Sequence, residues 1–99
     1  MLSNERGREI RRWLRERVTL EQAEARYADL ERDTLALTGT TSGGWLDHFR
    51  EQIAAEVQPG DELWLYDAGD EAWAYLHGER GLAHLRSGQV IGLITECRN

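Results

Sequence analysis

The sequence contains no lysine: all twelve of its basic residues are arginine. It has one cysteine, Cys97, and one proline, Pro59, in 99 residues. A lone cysteine cannot close an internal disulfide, so no covalent staple holds the fold, and this usage fits a reducing compartment. No apolar run approaches the ~20 residues that span a bilayer. No charged start leads into the apolar stretch of a secretory signal. The expectation is a cytoplasmic protein with no membrane span. The missing lysine has a plain source in the codon bias of a GC-rich genome; selection for bidentate guanidinium contacts is the alternative.

What is present suits one folded domain. Apolar residues make up 40% and charged residues 30%, a balance typical of soluble globular chains. The length supports one core and no second. Net charge is −6, unevenly divided. Residues 1–18 hold six arginines and three glutamates, a net of +3, and the remainder carries −9. An acidic body repels a phosphate backbone, which argues against nucleic acid as a partner.

Ile10, Trp13, Leu14 and Val18 recur at helical spacing and predict a helix from Asn4 to about Val18, a basic arm capped by Ser3 or Asn4. Arg12 and Glu16 then stand one turn apart. Thr19-Leu20-Glu21-Gln22 matches a capping box and opens a second helix to about Leu37, with Leu20, Ala23, Tyr27, Leu30 and Leu37 on one face and Gly39 as its stop. Thr38 to Gly44 reads as a loop, with Ser42 as a cap for a third helix from about Gly44 to Val57. Trp45, Phe49, Ile53 and Val57 form the apolar stripe of that helix.

Gln58-Pro59-Gly60-Asp61 is a turn. A strand over Glu62–Tyr66 follows, then a loop and a short helix over about Glu71–His77, capped by Asp70. Leu82–Arg86 and Gln89–Cys97 are strands, joined at Ser87-Gly88 by a hairpin turn. The order α-α-α-β-α-β-β places helices first and strands last. It predicts an α+β fold with N-terminal helices, a three-stranded, mainly antiparallel sheet, and a short helix between its first two strands. The chain divides into a basic helical arm over 1–18, helices over 19–57 and a β-α-β-β unit over 58–99. Both faces of the sheet carry apolar residues, so helices must cover both, or one face stays open to a partner or a second copy.

Chemistry-bearing motifs are sparse. His48, His77, His84 and Cys97 lack paired metal-ligand spacing, and His84 reads as an outward strand position. A Cys97 nucleophile would need His84 on the neighbouring strand. Asp61, Glu62, Asp67, Asp70 and Glu71 are candidates for acid–base work, with turn and cap chemistry as the plainer account. The glycines from Gly39 to Gly44 match no phosphate-binding pattern. No catalytic residue, metal or cofactor is predicted. The expected interaction surface comprises Trp13, Arg11, Arg12, Arg15, Trp64, Tyr66 and His84.

Pro59-Gly60-Asp61-Glu62-Leu63-Trp64, Trp73, Gly78-Glu79-Arg80-Gly81, Arg86-Ser87-Gly88-Gln89-Val90 and Asn99 together resemble a recurring C-terminal pattern of small, uncharacterised bacterial proteins. It spans residues 59–99 and departs from this chain at Asp67-Ala68-Gly69-Asp70, where relatives often carry proline. The resemblance implies a shared fold unit and brings no activity with it. The expectation is a non-catalytic protein-interaction or regulatory module, with a protein partner or a homodimer. A small enzyme or ligand-binding domain using Asp67–Glu71, or an immunity-type inhibitor of a basic partner, are the alternatives.

Overall fold

The structure, a computed structural model, describes residues 3–39 and 44–98. Helix α1 covers Asn4–Arg12, and the Ser3 hydroxyl caps it by accepting from the Arg6 amide at 3.1 Å. The helix stops there, and Leu14–Val18 forms strand β1. The predicted helix to Val18 is therefore too long. Leu14 and Val18 fit a helical stripe, yet they join different core clusters. As a strand, this segment pairs its backbone with β2 (Glu62–Asp67) and leaves Arg15, Glu16 and Arg17 exposed. Tertiary pairing overrides a helical pattern this short.

Helix α2 (Leu20–Thr38) begins at the predicted capping box. The Thr19 hydroxyl accepts from the Gln22 amide at 3.0 Å, and the Gln22 side chain accepts from the Thr19 amide at 2.9 Å. Gly39 ends it with φ 72°, as expected. The third helix is shorter than predicted. Helix α3 (Trp45–Gln52) gives way at Ile53 to a tight 3-10 turn over Ala54–Glu56. Gly44 holds its N-cap position without a side-chain bond, and the predicted Ser42 cap lies outside the described residues.

Helix α4 (Asp70–Ala74) follows β2. Asp70 is its first residue, and Gly69 occupies the cap position predicted for Asp70. Strands β3 (Glu79–Arg86) and β4 (Gln89–Arg98) finish the chain. They meet at Ser87-Gly88, where φ values of 53° and 78° suit the right-handed twist of a two-residue hairpin. The sheet has four strands rather than three, in the order β1-β2-β3-β4, and every neighbouring pair is antiparallel. The architecture is α+β, as expected, with β1 the unforeseen strand.

Both sheet faces are covered. On one, Ala23 and Tyr27 of α2 and Phe49 of α3, with Ile53, meet Leu63, Leu82 and Ile94. Tyr27 stacks on Phe49 with ring centroids 5.2 Å apart. On the other, Ile10 of α1 is fully buried against Tyr66, Ala83, Leu85 and Val90. Trp13 stacks on Tyr66 at 6.4 Å. Leu20 and Leu37, predicted on the buried face of α2, are 40% and 87% exposed; they stand at the first and next-to-last positions of this 19-residue helix. Between the strands, Gly81 admits no side chain: a Cβ there would lie 1.9 Å from the Ile94 carbonyl oxygen.

The basic arm thus docks on its own body. Truncating Ile10→Ala removes the central apolar contact of α1, and we expect a loss of about 2–5 kcal/mol in urea unfolding. An unchanged midpoint would mean that α1 is not part of the core.

Candidate functional site

Among the described residues, three carboxylates whose side chains are almost wholly covered, those of Glu79, Glu96 and Asp61, organise the polar interior. Glu79, 4% exposed, opens β3 beneath α1. Its carboxylate accepts from the Arg6 guanidinium, from the Tyr66 hydroxyl at 2.7 Å and from the Thr95 hydroxyl at 3.2 Å, with Arg98 at 3.3 Å. Burial alone would raise its pKa, but the Tyr66 hydroxyl and Arg6 guanidinium outweigh it and the net shift is downward. Burial, with the nearby Glu79 carboxylate, pushes the Tyr66 hydroxyl well above its ordinary value.

Glu96 lies on the opposite face, where it accepts from Arg26 Nε at 2.9 Å and from the Tyr27 hydroxyl at 2.6 Å, tying α2 to β4. Asp61 sits at the turn before β2. Arg86 grips it with both Nε at 3.0 Å and Nη2 at 2.8 Å, the Gln58 amide donates at 2.9 Å, and His84 Nε2 lies 2.8 Å away. Arg86, then the Gln58 amide, hold this carboxyl well below the usual carboxylate range.

These clusters explain the predicted site residues. His84 is 1% exposed. It faces inward beside Asp61 rather than outward, because the register places it opposite Leu63 and Gly92 on the face covered by α2 and α3. Tyr66 is 2% exposed and lies under Trp13. Trp64 is half-buried, with its Nε1 donating to Glu62 at 2.8 Å. Neither Tyr66 nor His84 has surface to offer a partner. Arg11, Arg12 and Arg15 are exposed. Cys97 is exposed and stands opposite Arg80, five positions along β4 from the partner of His84, so the two are not brought together.

The acidic loop follows turn chemistry. Asp67 Oδ1 accepts from the Gly69 amide at 2.8 Å and from Trp73 Nε1 at 2.9 Å. Those bonds prevail over burial and lower its pKa. Every buried side-chain polar atom among the described residues has a partner, so these clusters present no unpaired buried group to a ligand.

The accessible features lie elsewhere. An open groove of about 750 Å³ runs between α1 and the start of β4, lined by Ser3, Asn4, Gly7, Arg8, Arg11, Gln89, Val90 and Ile91. Beside it lies the outer edge of β4, where no backbone hydrogen bond from another described element is formed. Arg8, Gln89 and Ile91 lie outside the interaction surface expected from the sequence. The available signal was a terminal strand with few charges, but only strand order reveals which strand is at an edge.

No protein-family model, curated protein or solved structure matches the chain.

The depressed carboxylates set an acid limit. Asp61 and Glu79 carry folded pKa values below their unfolded ones, so their contribution is complete above the ordinary carboxylate value of about 4. It is lost as pH falls through the lower folded values. Melting temperature followed from pH 7 to pH 2 should fall steeply on the acid side. Asp61→Asn should lower it at neutral pH and flatten that acid limb; an identical acid slope in the variant would contradict the assignment.

Proposed function

We propose that this chain is a non-catalytic protein-interaction module that receives its partner along the outer edge of β4 and the adjoining ridge of α1. The free edge of β4 carries the reading. An edge strand exposes unpaired amides and carbonyls, and folded proteins commonly blunt such edges with short strands, charges or proline. The sheet's two edges differ in this respect. Strand β1 is five residues long with three consecutive exposed charges, Arg15, Glu16 and Arg17. Strand β4 is ten residues long, and its only charged residues are the buried Glu96 side chain and Arg98 at its end.

Residues with the strongest chemical potential are committed to structure. The three buried carboxylates hold helices and a turn against the sheet, and Asp67 closes the loop before α4. This supports an interaction role over acid–base chemistry at Asp67–Glu71.

A photo-crosslinking residue placed at Ile91 in the native host provides the test, with the exposed Glu56 position as control. A defined crosslinked product at Ile91, absent at Glu56 and lost in Arg8→Glu/Arg11→Glu, is expected. Equal products at both positions, or none at Ile91, would overturn the reading.

A further inference from the structure

We infer that the β4 edge takes an extended acidic segment of a partner protein by strand addition, with the segment's carboxylates received by Arg8 and Arg11. This inference rests on the interaction reading above and names the partner's chemistry.

The backbone supplies the first half. Strand β4 pairs with β3 through two irregularities, one at Ile91 and one at Glu96. Between them, Gly92–Thr95 pairs in regular antiparallel register with Gly81–His84. In regular antiparallel pairing, the backbone groups of alternate residues point away from the neighbouring strand. The outward groups of Gly92–Thr95 have no backbone partner among the described residues. An added strand satisfies such groups through main-chain bonds, whatever the sequence of the added segment.

Charge supplies the second half. Arg8 and Arg11 stand on the α1 wall of the groove, and Val90 and Ile91 form its strand side. Arg8 spends its Nε on the Asn4 carbonyl at 3.4 Å, and neither arginine makes an ion pair among the described residues. Ile91 is 40% exposed beside them. Two guanidiniums without an ion pair among the described residues, beside a partly apolar strand edge, fit a segment that alternates carboxylates with apolar side chains.

A second copy fits worse. Antiparallel pairing of two β4 edges sets the start of one strand beside the end of the other. Arg8 and Arg11 would then face Arg98 of the other copy. The carboxylates at that end, Glu79 and Glu96, are both buried and already bonded. That arrangement would bring Arg8 and Arg11 towards a further arginine rather than towards a carboxylate acceptor, which favours an acidic segment over self-pairing.

The test uses the intact chain and three synthetic ten-residue probes: alternating glutamate–valine, alternating lysine–valine, and the glutamate–valine peptide N-methylated at alternate backbone positions. Fluorescence anisotropy should show binding of the first alone. Arg8→Glu/Arg11→Glu should weaken it at least about tenfold, and amide signals of Gly92–Thr95 should shift in NMR spectra. Equal binding of the N-methylated probe would overturn strand addition, and equal binding of the lysine probe would overturn the acidic preference. Concentration-dependent dimerisation in sedimentation, abolished by Ile91→Lys, would replace the acidic segment with a second copy. If no probe binds while the Ile91 crosslink persists in the host, the acidic occupant is wrong and the interaction reading stands. Loss of both removes both.

Discussion

Glu79 is the point on which the fold turns. Its buried carboxylate joins Arg6 of α1, Tyr66 of β2 and Thr95 and Arg98 of β4. A lone carboxylate in that position would be costly to bury. Here its charge is met by guanidinium groups and its lone pairs by hydroxyls, so the group stays ionised under cover. The same contact fixes where α1 lies, which sets Ile10 into the second apolar cluster and Trp13 onto Tyr66. The basic character of residues 1–18 thus has a structural use: one of its arginines answers an acid buried in the sheet.

That division of labour repeats. Arg26 meets Glu96 and Arg86 meets Asp61, so three of the twelve arginines each hold a separate element to the sheet through a carboxylate that is almost wholly covered. The bidentate grip of Arg86 on Asp61 uses the planar geometry that distinguishes arginine from lysine. Arginines such as Arg8 and Arg11, which have no such partner among the described residues, lie at the surface beside the edge of β4.

Local signals were legible where the chemistry is local. The Thr19–Gln22 capping box, the Gly39 stop and the Ser87-Gly88 hairpin turn are each set within four residues, and each stands as read. Both faces of the sheet were apolar in the sequence, and helices do cover both. Failures came where distant pairing decides. Leu14–Val18 fitted a helical stripe, yet β2 offered it a strand partner some fifty positions away. His84 looked outward because strand alternation alone does not say which face is covered, and register with Leu63 and Gly92 turned it inward. The candidate site was the least legible part. Trp13, Trp64, Tyr66 and His84 stand out by their chemistry, yet all are wholly or partly packed, whereas the β4 edge has little side-chain chemistry to mark it and depends on strand order.

Helix α1 is held to the sheet by the Arg6–Glu79 contact. A double-mutant cycle measures this directly, using Arg6→Met, Glu79→Gln and the pair, with unfolding free energies from urea titration. Residues in one buried ionic network should couple by about 0.5–3 kcal/mol, and single removal should cost more than removal of both. Additive effects, with coupling near zero, would contradict the account and leave α1 held by its apolar contacts alone.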